Sequence, residues 1–446
     1  MPPGATTGRA ASARRGTGAF TPADYDSRVT SPSLARRLGL GDAVAIGLGS
    51  MIGAGVFSVW APAAAAAGPW LLAGLALAAV VAYGNATSSA QLAATYPTSG
   101  GTYAYGRAEL GEWWGFAAGW CFVIGKLASA AAMAITFAAY AAPAGWERPV
   151  AVVAVAVLVG VNLLGVTRTA ALTKAIVVVS LLGLAVVTAA GASSSSTWAG
   201  LGSAAPVDAY GVLQSAGLLF FAFAGYARIA TMGEEVRDPT RTIPRAITIA
   251  FAAALIVYAI VGTLTVVVLG ASATAASSAP LADVAHAAGW TWANPVVRVS
   301  AAAASLGALL ALVAGIGRTT LAMARERDLP AALAAIGARH RVPYRAELAV
   351  GVVVIGAVAL VDLRGAIGFS SFGVLLYYLV ANLAAFRQHG DARRYPRALQ
   401  IIGAIGCLVL AASLPWASVV AGAVVLAIGL AARGIRLRID RARSAG

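Results

Sequence analysis

Two features of this chain could do chemistry, and neither is laid out as a catalyst. The first is backbone. Ile46 to Phe57 reads IGLGSMIGAGVF, with four glycines and Ser50 inside an apolar run. Each interior glycine costs a helix about 1 kcal/mol relative to alanine, so the segment is weakened where a membrane helix needs strength. Unwinding there frees N–H and C=O groups that hydrocarbon leaves unsatisfied. A zwitterionic ligand supplies both missing partners, a carboxylate for N–H groups and an ammonium for carbonyls. The second feature is charge at depth: Lys126 and Arg228 each lie within apolar stretches. Such a charge costs about 2.5–3.5 kcal/mol on insertion scales, and residues that bear this cost usually serve a function.

Each feature has a plainer reading. Gly49 and Gly53 also form G-x-x-x-G, a motif for close helix packing, and Lys126 can donate to helix-end carbonyls or snorkel to an interface. Enzyme chemistry finds no support. No carboxylate pair, metal cluster or Ser-His arrangement falls at membrane depth, and His286, His340 and His389 are scattered in loops. Cys121 and Cys407 are the two cysteines, too few for a zinc site or a disulfide framework. The pattern implies no cofactor and no metal.

The elements that position these residues follow from composition. The chain has 446 residues, 60% of them hydrophobic and 11% charged. Apolar stretches of about 20 residues, each able to cross hydrocarbon, recur from Asp42 almost to the end. Breaks near Gly68–Pro69, Tyr96–Glu112, Pro143–Pro149, Thr167–Arg168, Gly191–Val212, Glu234–Pro244, Gly270–Asn294, Met323–Arg345, Val361–Arg364, Arg387–Arg397 and Leu414–Pro415 divide them into twelve expected spans. The net charge of +15 could suggest nucleic acid. Placement argues otherwise. With a cytoplasmic N-terminus, all but five of the 32 Lys and Arg residues fall on the inside, the exceptions being Arg148, Arg298, Arg364, Lys126 and Arg228. That asymmetry is the positive-inside rule and puts both termini in the cytoplasm. Residues 1–37, rich in Gly, Ala, Thr, Ser and Arg, read as a disordered cytoplasmic tail. Residues 38–190 hold spans 1–5, residues 191–386 spans 6–10, and residues 387–434 spans 11–12. A basic tail, 435–446, follows.

The first and sixth spans are both irregular. Span 6 carries Phe220-Phe221-Ala222-Phe223-Ala224-Gly225-Tyr226-Ala227-Arg228. The two lie five spans apart, so they cross in opposite directions. Matching interruptions in two inverted halves point to a transporter binding site near mid-membrane.

These residues are similar to the amino acid–polyamine–organocation superfamily, in its cationic-amino-acid-transporter-like branch. The resemblance rests on Gly53-Ala54-Gly55-Val56-Phe57, on Gln91-Leu92-Ala93-Ala94-Thr95-Tyr96-Pro97-Thr98-Ser99-Gly100-Gly101-Thr102-Tyr103, and on Phe221 to Tyr226. Glu234-Glu235-Val236-Arg237-Asp238-Pro239 and Ile243-Pro244-Arg245 complete it. It implies an all-α membrane protein of ten core helices in two inverted repeats of five, with helices 1 and 6 discontinuous and two further helices peripheral. It also implies one amino-acid substrate, moved by alternating access. By position, the N–H groups around Ala54 and Gly55 meet the substrate carboxylate, and the carbonyls of Met51, Phe221 and Ala224 meet its ammonium. Ser50, Gly53, Ala222, Gly225 and Ala227 complete the expected lining, and Phe221 or Phe223 is an aromatic gate.

Departures from the family pattern bear on substrate and coupling. Many relatives that carry cationic substrates have an acid directly after the Gly-aromatic pair of span 6. Here Ala227 stands there, followed by Arg228, and no carboxylate lies mid-span. A neutral side chain is therefore the favoured substrate. The alternatives are an exchanger of cationic or acidic amino acids, the latter through Lys126 and Arg228, or a non-transporting sensor on the same fold. Lys126 occupies a position that faces substrate in related exchangers and is the candidate carrier of a coupling proton. Ser180, aligned with a family coupling position, is the candidate ligand for a sodium ion, while Lys174 lies near the membrane edge. On the cytoplasmic side, Glu234, Glu235, Arg237 and Asp238 are expected to pair with Arg318, Arg325 and Arg327 as a gate.

Overall fold

A computed structural model describes residues 37–98, 100–165, 170–194, 206–337, 340 and 342–445. The expected N-terminal tail lies outside the described residues but for Arg37, as do the break at Thr167–Arg168 and Gly446.

The described chain is helical. The first expected span is three pieces, α1 (Leu40–Met51), α2 (Gly55–Ser58) and α3 (Trp60–Ala67). There follow α4 (Leu71–Thr95), the short α5 (Gly101–Leu110), α6 (Glu112–Ala141), α7 (Glu147–Leu163) and α8 (Ala170–Ser193). The sixth expected span is α9 (Ala209–Phe223), a 3-10 turn over Ala224–Tyr226, and α10 (Ala227–Ala230). Then come α11 (Pro239–Ala276), α12 (Pro280–Ala287), α13 (Asn294–Arg325), α14 (Tyr344–Leu360), α15 (Leu363–Arg387), α16 (Arg397–Ser413) and α17 (Trp416–Ala445). Among the described residues, nine helical stretches are long and apolar enough to cross a membrane. α7, α14 and α16 have 17 residues each, about 25 Å of helix.

Local chemistry sets the ends. The Asp362 carboxylate caps α15 by accepting from the Gly365 N–H at 2.8 Å, and Asp208 does the same for α9 through Tyr210. Proline opens α11, where its missing N–H is no loss. Gly270, at φ 74° and ψ 164°, kinks that helix.

Without water, polar side chains in the bilayer must find one another. Between α4 and α15 several do. The Asn382 amide donates to Asn85 and to the Tyr378 carbonyl, while Ser88 donates to the Asn382 oxygen. One turn on, Gln91 donates to the Ala385 carbonyl and to Gln388.

A second polar cluster ties the far helix to the bundle. Asp328, just beyond α13, is buried and takes hydrogen bonds from Tyr103, Arg107 and Arg433. The Arg433 guanidinium, from α17, lies over the rings of Trp113 and Phe116. Glu326 pairs with Arg107 at 2.8 Å. The acids of the α13–α14 connection are thus committed to α5 and α17. No ion pair among the described residues joins Glu235, Arg237 or Asp238 to Arg318, Arg325 or Arg327. In the Asp328 network, Arg107 and Arg433 bring two guanidiniums to one buried carboxylate. Asp328→Asn should destabilise the protein by about 3–5 kcal/mol, as breaking a buried pair does, read as a lower melting temperature in detergent.

Candidate functional site

The two interruptions meet. A Cβ placed on Gly225, in the 3-10 turn, would lie 2.2 Å from the Ser50 carbonyl oxygen and 2.6 Å from the Met51 nitrogen. One placed on Gly55 would lie 3.0 Å from the Ala222 Cα. Backbone therefore touches backbone on both sides of the crossing, and only glycine allows it.

The break in the first helix leaves polar groups open. After Ile52 donates to the Leu48 carbonyl, the N–H groups of Gly53 and Ala54 find no acceptor among the described residues. Both residues are buried. Orphaned buried N–H groups are rare in folded proteins and demand a partner. The next N–H outside the helix, that of Val59, returns to Gly55, so the chain is helical again past the gap.

The carbonyls at the crossing are held by tyrosines from outside it. The Tyr258 hydroxyl, on α11, lies 2.6 Å from the Met51 carbonyl and 2.9 Å from that of Ala222, and its single proton serves one at a time. The Tyr378 hydroxyl, on α15, donates to the Ala224 carbonyl at 3.2 Å. Two of the three carbonyls expected to meet an ammonium thus carry tyrosine donors. Sequence reasoning missed both tyrosines, because a hydroxyl in a span has no signature until its partner is known.

Other expected lining residues vary in setting. The Ser50 hydroxyl is half-buried and donates back to Ile46 at 2.9 Å. Phe221, Ala222, Ala224 and Ala227 are buried. Phe223 is packed between Phe251 and Tyr258. Lys126 is half-buried on α6 and makes no hydrogen bond or ion pair with a described residue. Ser180 is buried and donates to the Ile176 carbonyl.

Burial differs on the two sides of the break. Every residue from Met51 to Trp60 is buried, whereas Ile46, Leu48, Gly49 and Ser50 are only half-buried. Past the gap, the Tyr140 hydroxyl donates to the Phe57 carbonyl at 3.0 Å, and Arg298 donates to the Tyr140 carbonyl. On the other side, Arg228 and Arg318 are both exposed, and Arg228 feels the charge of Glu235 as well as that of Arg318.

A bundle of apolar helices, two of them broken where they touch, is the architecture of a multi-pass membrane transporter. The chain matches the amino acid permease family over residues 42–435, and it belongs to that family. It is 56% identical over 417 residues to an uncharacterized transporter of Mycobacterium tuberculosis, covering 93% of this chain and 94% of that one. It is 26% identical over 431 residues to the branched-chain amino acid permease of Bacillus subtilis, covering 89% and 92%. With human cationic amino acid transporter 4 it shares 28% over 372 residues, covering 78% and 58%.

Two substitutions test the crossing. Gly225→Ala should abolish transport or lower the melting temperature by several degrees, because its methyl group meets backbone that cannot give way. Tyr258→Phe should cost about 1–3 kcal/mol for the carbonyls it leaves unpaired, and substrate KM should change with it.

Proposed function

We propose that this protein is a secondary active transporter of α-amino acids in a cytoplasmic membrane. It works by alternating access and is driven by protons. Twelve helices span the bilayer, ten of them as two inverted repeats of five, with both termini in the cytoplasm. The substrate sits where the first and sixth helices break.

One observation carries the reading: the buried, unpartnered N–H groups of Gly53 and Ala54 beside the backbone of the sixth helix. A substrate carboxylate supplies the acceptor they lack. Its ammonium competes with the hydroxyls of Tyr258 and Tyr378 for the carbonyls of Met51 and Ala224. The tyrosines stand in for the ligand, keeping those carbonyls satisfied in its absence. Ser50, Gly55, Phe221, Ala222, Phe223, Gly225 and Ala227 frame the same pocket, and Lys126 faces the substrate side chain. In this reading the form described opens toward the cytoplasm, and Arg228 and Arg318 line its vestibule.

A neutral side chain is favoured because Ala227 offers no counter-charge to a cationic one. The branched-chain permease of Bacillus subtilis supports the same choice by its name. Proton drive is the family expectation carried by sequence. Ser180 is the residue on which sodium drive would rest, and its hydroxyl is engaged within its own helix.

The experiment is uptake into proteoliposomes with a panel of labelled amino acids under imposed proton or sodium gradients. Accumulation of neutral amino acids against their gradient, with the outside acidic and no sodium present, is the expected result. Binding without counterflow would identify a sensor, and counterflow without accumulation an exchanger.

A further inference from the structure

Glu347 has no part in the site described so far, and its setting is unusual. It lies in the first turn of α14 and is 3% exposed. Its Oε2 is buried with no hydrogen-bond partner, and no ion pair among the described residues includes it. Space has been made for it: a Cβ on Gly317 of α13 would lie 2.9 Å from the Glu347 Cγ. An acid kept for structure in an apolar bundle is paired, as Asp328 is. Burying an ionised carboxylate without a partner costs several kcal/mol, a cost the neutral acid avoids.

Its charged surroundings are sparse. The helices packed against α14 are α6, α7 and α13, together with the turn at Ala331–Ala334. α6 brings Glu112 and Lys126, and α7 has no titratable residue beyond Glu147 and Arg148 at its start. α13 brings Arg318 and Arg325 near the Glu347 end, with Arg298 at the other. The turn has only apolar residues, preceded by Asp328, which the arginine network holds. On its own helix stands Arg345, whose guanidinium donates to Tyr344. Of all these, Arg318 is the group whose charge acts on Glu347. Arg318 follows Gly317 directly, is exposed, and also acts on Arg228 of the sixth helix.

We propose that Glu347 is the proton-binding site that couples proton movement to transport, with Arg318 as its switching counter-ion. The proposal rests on the proton-driven reading above. The neutral acid fits the unpaired burial of the inward-facing form, and Arg318 then extends into the vestibule. Release of the proton to cytoplasmic water leaves one carboxylate. The Arg318 guanidinium turns back to pair with it, so the new negative charge is compensated and the pair is neutral. The vestibule thereby loses one of its two arginines. Proton occupancy is in this way coupled to the charge facing the broken sixth helix, through a residue on α13.

The test uses the full chain in proteoliposomes, an acidic exterior and a labelled mixture of neutral L-amino acids. Glu347→Gln should reduce gradient-driven accumulation at least tenfold, to the equilibrium level, while counterflow into preloaded vesicles stays within about threefold of wild type. Arg318→Gln should move the pH dependence of driven uptake in the alkaline direction by about one pH unit or more, because the carboxylate loses its stabilising cation. Wild-type accumulation by Glu347→Gln overturns the proposal and leaves proton drive standing. The proposal also falls if Lys126→Met abolishes driven accumulation while Glu347→Gln keeps it. If Glu347→Gln loses counterflow and its melting transition together, the exposed Arg318 decides, and an unchanged pH profile in Arg318→Gln overturns the proposal. Wild-type protein that shows no proton-driven accumulation sinks the underlying reading, and this proposal with it.

Discussion

Everything in this fold answers to one constraint: a backbone N–H or C=O in hydrocarbon must have a partner from the protein or from what the protein binds. Intact helices meet it internally. At Ile52–Ala54 and Ala224–Tyr226 the helices do not, and the surroundings are arranged around that deficit. Two tyrosine hydroxyls, from α11 and α15, reach in to the carbonyls. The N–H groups of Gly53 and Ala54 receive no such help. The asymmetry has chemical content, since donors stand open beside acceptors that tyrosines already tend.

The glycines of the first helix show how closely that site is walled. Each faces a different neighbour. Gly47 meets Ile229 and Ala250, Gly49 meets Val177, Gly53 meets Ala308 and Gly55 meets Ala222. They are therefore not one stripe for one partner but four close approaches to surrounding helices. The chain before α1 is also tied to the exit of the sixth helix, where the Arg37 and Leu38 N–H groups both donate to the Glu235 carbonyl. Each broken helix is thus held against the other at the crossing and again where the first begins.

Charge is partitioned with similar care. Asp328, Arg107 and Arg433 are consumed in fixing α17 and α5 to the end of α13. Arg228 and Arg318 are left exposed. Along the chain these arginines look alike. What makes anchors of Arg107 and Arg433 is the buried Asp328 carboxylate they share.

Much of the architecture was legible beforehand, because its causes are local. Apolar runs of spanning length, the glycines of IGLGSMIGAGVF and the Phe-Ala-Gly-Tyr bend each act over a few neighbouring residues, and they set the helices, the two interruptions and the family. What contacts at a distance decide was not legible. Tyr258 and Tyr378 become donors to the crossing only when α11 and α15 pack against it. Phe223 is enclosed by two aromatic rings that its own helix does not carry. Asp328 becomes an anchor only when α17, more than a hundred residues away in sequence, brings Arg433 to it. Glu347 stands near a span end, where a carboxylate ordinarily reaches water, and its burial against Gly317 of α13 appears only in the fold. Sequence alone determined where the backbone would be broken, since that depends on the residues at the break. Tertiary structure decided which exposed polar groups would be satisfied, since a hydrogen bond or an ion pair has no address until both partners are placed.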